Sequence, residues 1–294
     1  MTVNFIVNPI AINGGWSPWD ARVGGTEECV IQWANELNIR GYNVSVYHNG
    51  THGEYKGVWY RPHNDYFNRQ PGLSIAVNFP DLELQEKTIY WTTFPHQGGR
   101  PLSQFAAVVG ISQYQLDNDD LQHKNLSIIP PGYFPEQFTP EKKLPKSVLY
   151  ASSPDRGLDN LLAVWPEVIK EVPDAMLTIT YGGQTTLPNT ICLGQVNEAE
   201  MVQLFRESDI WCHPAKNGEL YCISGIKAQA SGCWPVYFPI MALKDTVTFG
   251  TKSTQETLAQ DLITALNGHP EPEVNPFPTW QSTTDQWEEL LANC

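Results

Sequence analysis

Short apolar runs alternate with amphipathic helical stretches along this sequence of 294 residues, and the alternation occurs twice. Strands are predicted in the first half at 5–10, 43–47, 74–78, 88–92, 106–111 and 126–129, and in the second half at 147–151, 176–181, 190–193, 209–213 and 234–238. Helices are predicted at 26–37, 157–171, 198–207 and 223–231, with Asn197 as the N-cap of the third. Because helices that connect parallel strands cover both faces of a sheet, this order predicts two α/β domains, each with a parallel sheet.

A segment rich in proline and charge, residues 131–146, separates the two halves. Such composition is typical of an interdomain linker. We therefore predict a first domain over 1–135 and a second over 136–280. The amphipathic stretch 283–291 indicates a terminal helix, and we expect residues 281–294 to return toward the first domain.

Charge and cysteine usage narrow the class of protein. The net charge is −14, from 32 acidic and 18 basic residues, which disfavours unassisted nucleic-acid binding. The six cysteines form no Cys-x-x-Cys pair or metal-finger spacing. Residues 1–7 have neither a basic region nor a long apolar run, so we expect no signal peptide there, and no apolar run approaches the ~18 residues of a membrane span. We expect a soluble, reduced, cytoplasmic protein with no bound metal and no membrane span.

The segment 214–236 carries the most specific chemistry. It reads as a strand end, a loop with Glu219, a helix that begins near 222–224, a stop at Gly232 and another strand. Ligands of open α/β sheets bind at the carboxyl ends of the strands, where this loop is expected. Glu219 can accept hydrogen bonds from sugar hydroxyls, and the amides of Cys222, Ile223 and Ser224 can meet a diphosphate at the helix N-terminus.

This segment resembles the signature of the retaining GT-B glycosyltransferases of the glycogen-synthase-like and mannosyltransferase-like superfamily, two glutamates separated by seven residues. The matching positions are Glu219, Tyr221, Cys222, Ile223, Ala228, Ala230, Gly232, Pro235 and Val236. Residues 200–214 also look like the helix and strand that precede this signature. The resemblance implies that Glu219 orients the donor sugar and that residues 221–224 bind the donor.

The second glutamate of the signature is replaced by Lys227. In the family that glutamate holds the donor ribose, and an ammonium cannot accept hydrogen bonds as a carboxylate does. We expect Lys227 to point into the cleft within reach of phosphate or sugar oxygens. Altered or lost donor binding remains an open alternative.

A second resemblance lies at 149–162, where the family has a basic residue before Gly-Leu. Arg156 holds that position, which implies that it neutralises the departing diphosphate. The upstream arginine of the family's usual basic pair falls on Ala151, so Arg156 is expected to act alone.

In the first half the match is looser. Gly24 and Gly25 precede a helix for which Thr26 is the predicted N-cap, and the resemblance implies that they let the backbone approach the phosphates. His96 lies where a family histidine faces the sugar, although Thr92 or Thr93 can occupy the matching place. Trp16 and Trp19 are candidates for a wall of the acceptor site.

The resemblance implies a GT-B fold, in which two Rossmann-like domains face a cleft. It also implies a metal-independent, hexosyltransferase-type enzyme that moves a sugar from a nucleoside diphosphate sugar, with a UDP-sugar the expected donor, and retains the anomeric configuration. No cofactor beyond the nucleotide sugar is expected, and the acceptor is a glycan, a small molecule or a modified DNA base. Two alternatives stay open: a glycosyltransferase that acts on a hydroxymethylated base of DNA, and a sugar-nucleotide-binding module without turnover.

Overall fold

The structure is a computed structural model that describes residues 1–10, 16–20, 23–95 and 101–294. It divides into two compact units. Unit 1 comprises residues 1–132 and 278–294, and unit 2 comprises residues 133–277. None of the described helices is long and apolar enough to cross a membrane.

Unit 1 is built on an eight-stranded sheet. Its strands are β1 (Thr2–Val7), β2 (Asn43–His48), β3 (Gly53–Tyr55), β4 (Val58–Pro62), β5 (Leu73–Val77), β6 (Thr88–Trp91), β7 (Ala107–Gly110) and β8 (Leu126–Ile128), and its first helices are α1 (Gly25–Ile39) and α2 (Gln113–Asn118). The strand order is β3-β4-β2-β1-β5-β6-β7-β8, and every neighbouring pair except β3–β4 is parallel. The central strands are buried throughout β5 and nearly throughout β1, as expected for parallel strands covered on both faces.

The antiparallel pair β3–β4 is a hairpin that the sequence analysis did not predict. Its two turn residues, Lys56 and Gly57, both have positive φ, at 50° and 84°. Two positive φ values are the requirement of a type I′ turn, whose twist matches that of the flanking strands. Lys56 is an uncommon residue in such a turn, so the usual Asn-Gly signal is missing.

Unit 2 contains a six-stranded sheet in which all neighbours are parallel. Its elements are β9 (Leu144–Tyr150), α3 (Leu158–Glu171), β10 (Met176–Thr180), β11 (Thr190–Gly194), α4 (Glu198–Glu207), β12 (Ser208–His213), α5 (Ile223–Ala230), β13 (Trp234–Tyr237), α6 (Leu243–Thr246), β14 (Thr251–Lys252) and α7 (Leu258–Asn267). The order is β11-β10-β9-β12-β13-β14. The predicted pair of α/β parallel sheets is confirmed.

The last helix, α8 (Trp280–Asn293), belongs to unit 1 and packs against α1. The indole Nε1 of Trp33 in α1 donates a hydrogen bond to Thr283 Oγ1 at 2.9 Å. The rings of Trp280 and Trp287 meet Trp33 edge-on, with centroids 5.8 and 5.4 Å away. All three indoles are fully buried, so apolar burial and this hydrogen bond fix the carboxyl-terminal helix on α1, together with the ion pairs of Arg40 with Asp285 and Glu288.

Two helix starts were predicted residue by residue. The prediction of Thr26 as the N-cap of α1 is wrong, because the N-cap is Gly24 and it makes no side-chain capping bond. The Thr26 hydroxyl instead lies 2.7 Å from Thr93 Oγ1. Asn197 is confirmed as the N-cap of α4, where it forms a reciprocal capping box with Glu200.

Candidate functional site

The site in unit 2 is built from two loops that leave neighbouring parallel strands at their carboxyl ends. Residues 151–157 follow β9, and residues 214–222 follow β12. Gly157 has a φ of +101°, and a β-carbon there would overlap the carbonyl oxygen of Pro214. Gly218 has a φ of +75°, and a β-carbon there would overlap the guanidinium of Arg156. The two glycines therefore let the loops lie against each other.

Glu219 is the point where these loops meet. Its Oε1 lies 3.1 Å from His213 Nε2 and 3.3 Å from Arg156 Nη1, and the same Nη1 donates to the carbonyl of Asn217 at 3.3 Å. Burial alone raises the pKa of Glu219, but the hydrogen bond and charge of His213 and the charge of Arg156 together leave it below its usual range. Glu219 is therefore an ionised, nearly buried carboxylate at neutral pH.

His213 is a site residue that the sequence analysis missed. It is the last residue of β12 and is fully buried, and its ring stacks on Trp211 with centroids 5.0 Å apart and an 18° interplanar angle. The available signals were its position at a strand end, six residues before Glu219, and its place in the stretch 200–214 that resembles the family. With the ring fixed by stacking, Nε2 is directed at the carboxylate.

The start of α5 follows at once. Cys222 is its N-cap and has a φ of +68°, a left-handed conformation that is uncommon for a residue other than glycine. Its Sγ lies 3.5 Å from Ser224 Oγ. Burial and the neighbouring Glu219 charge raise the pKa of the Cys222 thiol well above its usual range, so the thiol is neutral.

The first-turn amides of α5, including those of Ile223 and Ser224, have no acceptor within the helix. The preceding Tyr221 is also buried.

Lys227 lies one turn into α5 and is half-buried. Its Nζ lies 5.4 Å from the centroid of the Phe138 ring, a cation–π distance. The structure thus places the ammonium over an aromatic face of unit 2. Its predicted contact with phosphate or sugar oxygens stays a prediction.

The predicted donor residues of unit 1 lie at the start of α1. Gly24 is the N-cap and Gly25 the first helical residue. Beside them, Thr93 Oγ1 contacts the Thr26 hydroxyl at 2.7 Å and accepts a hydrogen bond from Asn78 Nδ2 at 3.0 Å. This polar network joins α1 to the carboxyl ends of β5 and β6.

The two tryptophans that are predicted to line the acceptor site pack against the carboxyl end of β2 and against the β3–β4 hairpin. The Trp16 ring lies 4.3 Å from His48, and the Trp19 ring lies 5.7 Å from Tyr55. Burial lowers the pKa of His48 to about 4, so Trp16 covers a neutral imidazole. Trp19 remains 46% exposed and presents an aromatic surface to solvent. His96 lies outside the described residues.

No protein-family model matches the sequence, and none of the curated proteins matches it. Solved structures do match. HepE of Anabaena, in complex with UDP and glucose, aligns over 100% of both chains with a TM-score of 0.75 and 13% identity. The chain has the GT-B fold.

Two other GT-B glycosyltransferases of known structure are similarly close in fold. Sucrose-phosphate synthase of Thermosynechococcus elongatus aligns over 99% of this chain and 98% of its own, with a TM-score of 0.74 and 13% identity. AviGT4, a glycosyltransferase involved in avilamycin A biosynthesis, aligns over 100% and 98%, with a TM-score of 0.73 and 13% identity. The fold implied by the sequence resemblance is therefore confirmed.

Proposed function

We propose that this protein is a glycosyltransferase that moves a sugar, expected to be a hexose, from a nucleoside diphosphate sugar to an acceptor hydroxyl. The observation that carries the proposal is the meeting of Arg156 with Glu219 at the carboxyl ends of the parallel strands of unit 2. In open α/β sheets this edge is where ligands bind. A UDP-sugar is the expected donor, which is supported by the likeness in fold to HepE, a protein solved in complex with UDP-glucose.

Glu219 serves the donor sugar in this proposal. Its lowered pKa keeps it ionised, so both carboxylate oxygens accept hydrogen bonds from sugar hydroxyls. His213 holds the carboxylate from the buried side, because its Nε2 contacts Oε1 at 3.1 Å. The carboxylate is thereby oriented before the donor arrives, and little rearrangement is needed in the reaction.

Arg156 serves the leaving group. Its side chain is 30% exposed, whereas that of Glu219 is 9% exposed, so the guanidinium is the partner with room to move. A diphosphate carries more negative charge than one carboxylate, and a planar guanidinium binds it with two parallel hydrogen bonds. The charge that develops on the diphosphate as the glycosidic bond breaks is then stabilised by Arg156 and the α5 amides.

The remaining assignments follow the sequence resemblance. Gly24 and Gly25 let the backbone approach the phosphates, Lys227 contacts phosphate or sugar oxygens, and Trp16 and Trp19 form a wall of the acceptor site. His96 faces the transferred sugar. The anomeric configuration is retained, and neither a metal nor a cofactor other than the nucleotide sugar takes part.

A panel of nucleotide sugars tests this function. Thermal unfolding of the full chain is measured with each donor, since a ligand that binds only the native state raises Tm. The donors that raise Tm are then assayed for nucleotide release with candidate glycan acceptors, and the product is identified by mass spectrometry. We expect UDP-sugars to give the largest shifts and to be turned over. Stabilisation without turnover would favour a binding module, and no stabilisation by any donor would overturn the proposal.

A further inference from the structure

Three side chains at the heart of the unit 2 site combine a nitrogen, an oxygen and a sulfur ligand. They are His213 at the end of β12, Glu219 in the following loop and Cys222 at the N-cap of α5. A ring nitrogen of His213, a carboxylate oxygen of Glu219 and Sγ of Cys222 all lie within 4.8 Å of one another, and Nε2 of His213 lies 3.1 Å from Oε1 of Glu219. All three side chains are buried.

These separations are close to those of a tetrahedral zinc site. Zinc binds imidazole nitrogen and carboxylate oxygen at about 2.0–2.2 Å and thiolate sulfur at about 2.3 Å, which places neighbouring ligand atoms roughly 3.3–3.7 Å apart. The His213–Glu219 distance of 3.1 Å is slightly shorter than this spacing, and the sulfur, which lies within 4.8 Å of the other two atoms, needs to move by roughly 1 Å.

We propose that His213, Glu219 and Cys222 form a binding site for a thiophilic divalent cation such as Zn²⁺, and that this cation inhibits the protein by occupying the donor site. An imidazole, a thiolate and one carboxylate select Zn²⁺, Co²⁺ or Cd²⁺ over Mg²⁺ and Ca²⁺, which prefer oxygen ligands. On binding, the thiol of Cys222 releases its proton to solvent, and His213 takes the neutral tautomer that carries its hydrogen on Nδ1. The thiolate and the freed Nε2 then coordinate the metal.

The cation competes with the ion pair already present. Arg156 lies 3.3 Å from Glu219 Oε1, and a divalent cation on the carboxylate repels its guanidinium. The exposed part of the Arg156 side chain lets it swing toward solvent. Cation binding therefore occupies the Glu219 carboxylate and at the same time displaces Arg156. These are the two groups that the proposed function assigns to the donor sugar and to the diphosphate.

The affinity is limited by the surroundings of His213. A histidine that binds zinc through Nε2 usually donates its Nδ1 hydrogen to a carboxylate or carbonyl, and loss of such a partner costs about 10–100-fold in affinity. Among the described residues, His213 Nδ1 is buried and has no hydrogen-bond partner. We therefore expect reversible binding that follows the free cation concentration, in contrast to a permanently filled structural site.

Cobalt is the probe that reports the ligands directly. The full chain, freed of metal by a chelator, is titrated with Co²⁺, and the thiolate-to-cobalt charge-transfer absorbance in the near ultraviolet is recorded. We expect the band in wild type, its loss in Cys222→Ser and His213→Gln, and its displacement by Zn²⁺. Cys192→Ser is the matched control, because Cys192 is a half-buried cysteine of β11 outside the cluster. Thermal unfolding confirms that each variant is folded.

Absence of the band in wild type, or its persistence in folded Cys222→Ser, would overturn the cation site. The inhibitory role rests on the proposed function and is tested separately, by Zn²⁺ inhibition at several donor concentrations. Competition with the donor in wild type and in Cys192→Ser supports it, whereas inhibition independent of donor concentration overturns it. If the band forms but no donor is turned over, the cation site stands and the proposed function fails.

Discussion

Arg156 and Glu219, which are 63 positions apart in the sequence, form an ion pair with Nη1 and Oε1 separated by 3.3 Å. The carboxylate is nearly buried and the guanidinium is partly exposed. Because the guanidinium of Arg156 is partly exposed and the carboxylate is buried, the guanidinium can leave the carboxylate and bind a more highly charged group such as a diphosphate. This difference in exposure between the two side chains agrees with the proposed roles, in which Arg156 binds the diphosphate and Glu219 orients the donor sugar.

Arg156→Ala is expected to lower turnover about 100-fold, the scale observed when one preorganised stabiliser of transition-state charge is removed. The measurement is kcat with the donor that gives the highest activity. Arg206→Ala is the matched control, because Arg206 pairs with Glu141 in the same unit and lies in α4. Unchanged turnover in folded Arg156→Ala would assign the arginine a structural role only.

The pH dependence of activity reports on Glu219 and tests its contact with His213. The folded pKa of Glu219 is lowered, so its stabilising interactions are present above its unfolded pKa and are lost as pH falls through the folded value. His213→Leu removes the hydrogen bond and charge that lower this pKa, and the acid limb of kcat/KM should therefore move to higher pH.

His213→Gln keeps a donor near the same position and should restore part of the shift. His269→Gln is the control, since His269 pairs with Asp209 elsewhere in unit 2. An acid limb at the same pH in wild type and in folded His213→Leu would show that His213 does not tune Glu219.

Lys227→Glu should change donor affinity or preference more than it changes folding. The substitution returns an acceptor to the position where the resembling family holds the ribose, and a satisfied ribose hydroxyl is worth about 1–3 kcal/mol. Titration with several nucleotide sugars, for wild type and variant, measures the effect. Lys170→Glu makes the same charge change at an exposed position of α3. Indistinguishable affinities across the donors would remove Lys227 from the donor site.

Gly157→Ala tests whether close packing of the two loops matters. Gly182→Ala is a matched control, because Gly182 also has a positive φ, +85°, but a β-carbon there meets nothing within 4 Å. The control should cost about 1–2 kcal/mol in free energy of unfolding through left-handed strain alone. Gly157→Ala should cost more and also lower turnover, since the Pro214 carbonyl must move. Urea denaturation measures the difference, and equal losses would mean that the loops accommodate a side chain.

Much of the fold was predictable because parallel strands buried on both faces, such as β1 and β5, read as continuous apolar runs. The β3–β4 hairpin was not, since its turn uses Lys56 with positive φ. Helix α7 carried a usable signal that the sequence analysis left out. Leu258, Leu262 and Leu266 recur at helical spacing and are all buried.

The site was predictable only where a motif was present. Glu219 and Arg156 were identified from motif positions, but their contact depends on Gly157 and Gly218, whose backbone conformations are tertiary properties. His213 lies in the stretch 200–214 that resembles the family, but no role was predicted for it, and its role depends on a ring orientation set by Trp211. Position in a motif identifies candidates, whereas distances between side chains depend on how the loops pack.

Binding of free nucleoside diphosphates, measured by calorimetry, tests the central claim that the Arg156–Glu219 site of unit 2 holds the donor diphosphate. UDP, GDP, ADP and dTDP are titrated into wild type, Arg156→Ala and the control Arg206→Ala. We predict that UDP binds wild type and the control equally, and that Arg156→Ala weakens binding about 10–100-fold, the effect of one charged hydrogen-bonding partner. If none of the four nucleotides binds wild type, or Arg156→Ala binds as tightly as the control, the donor site does not lie at this pair.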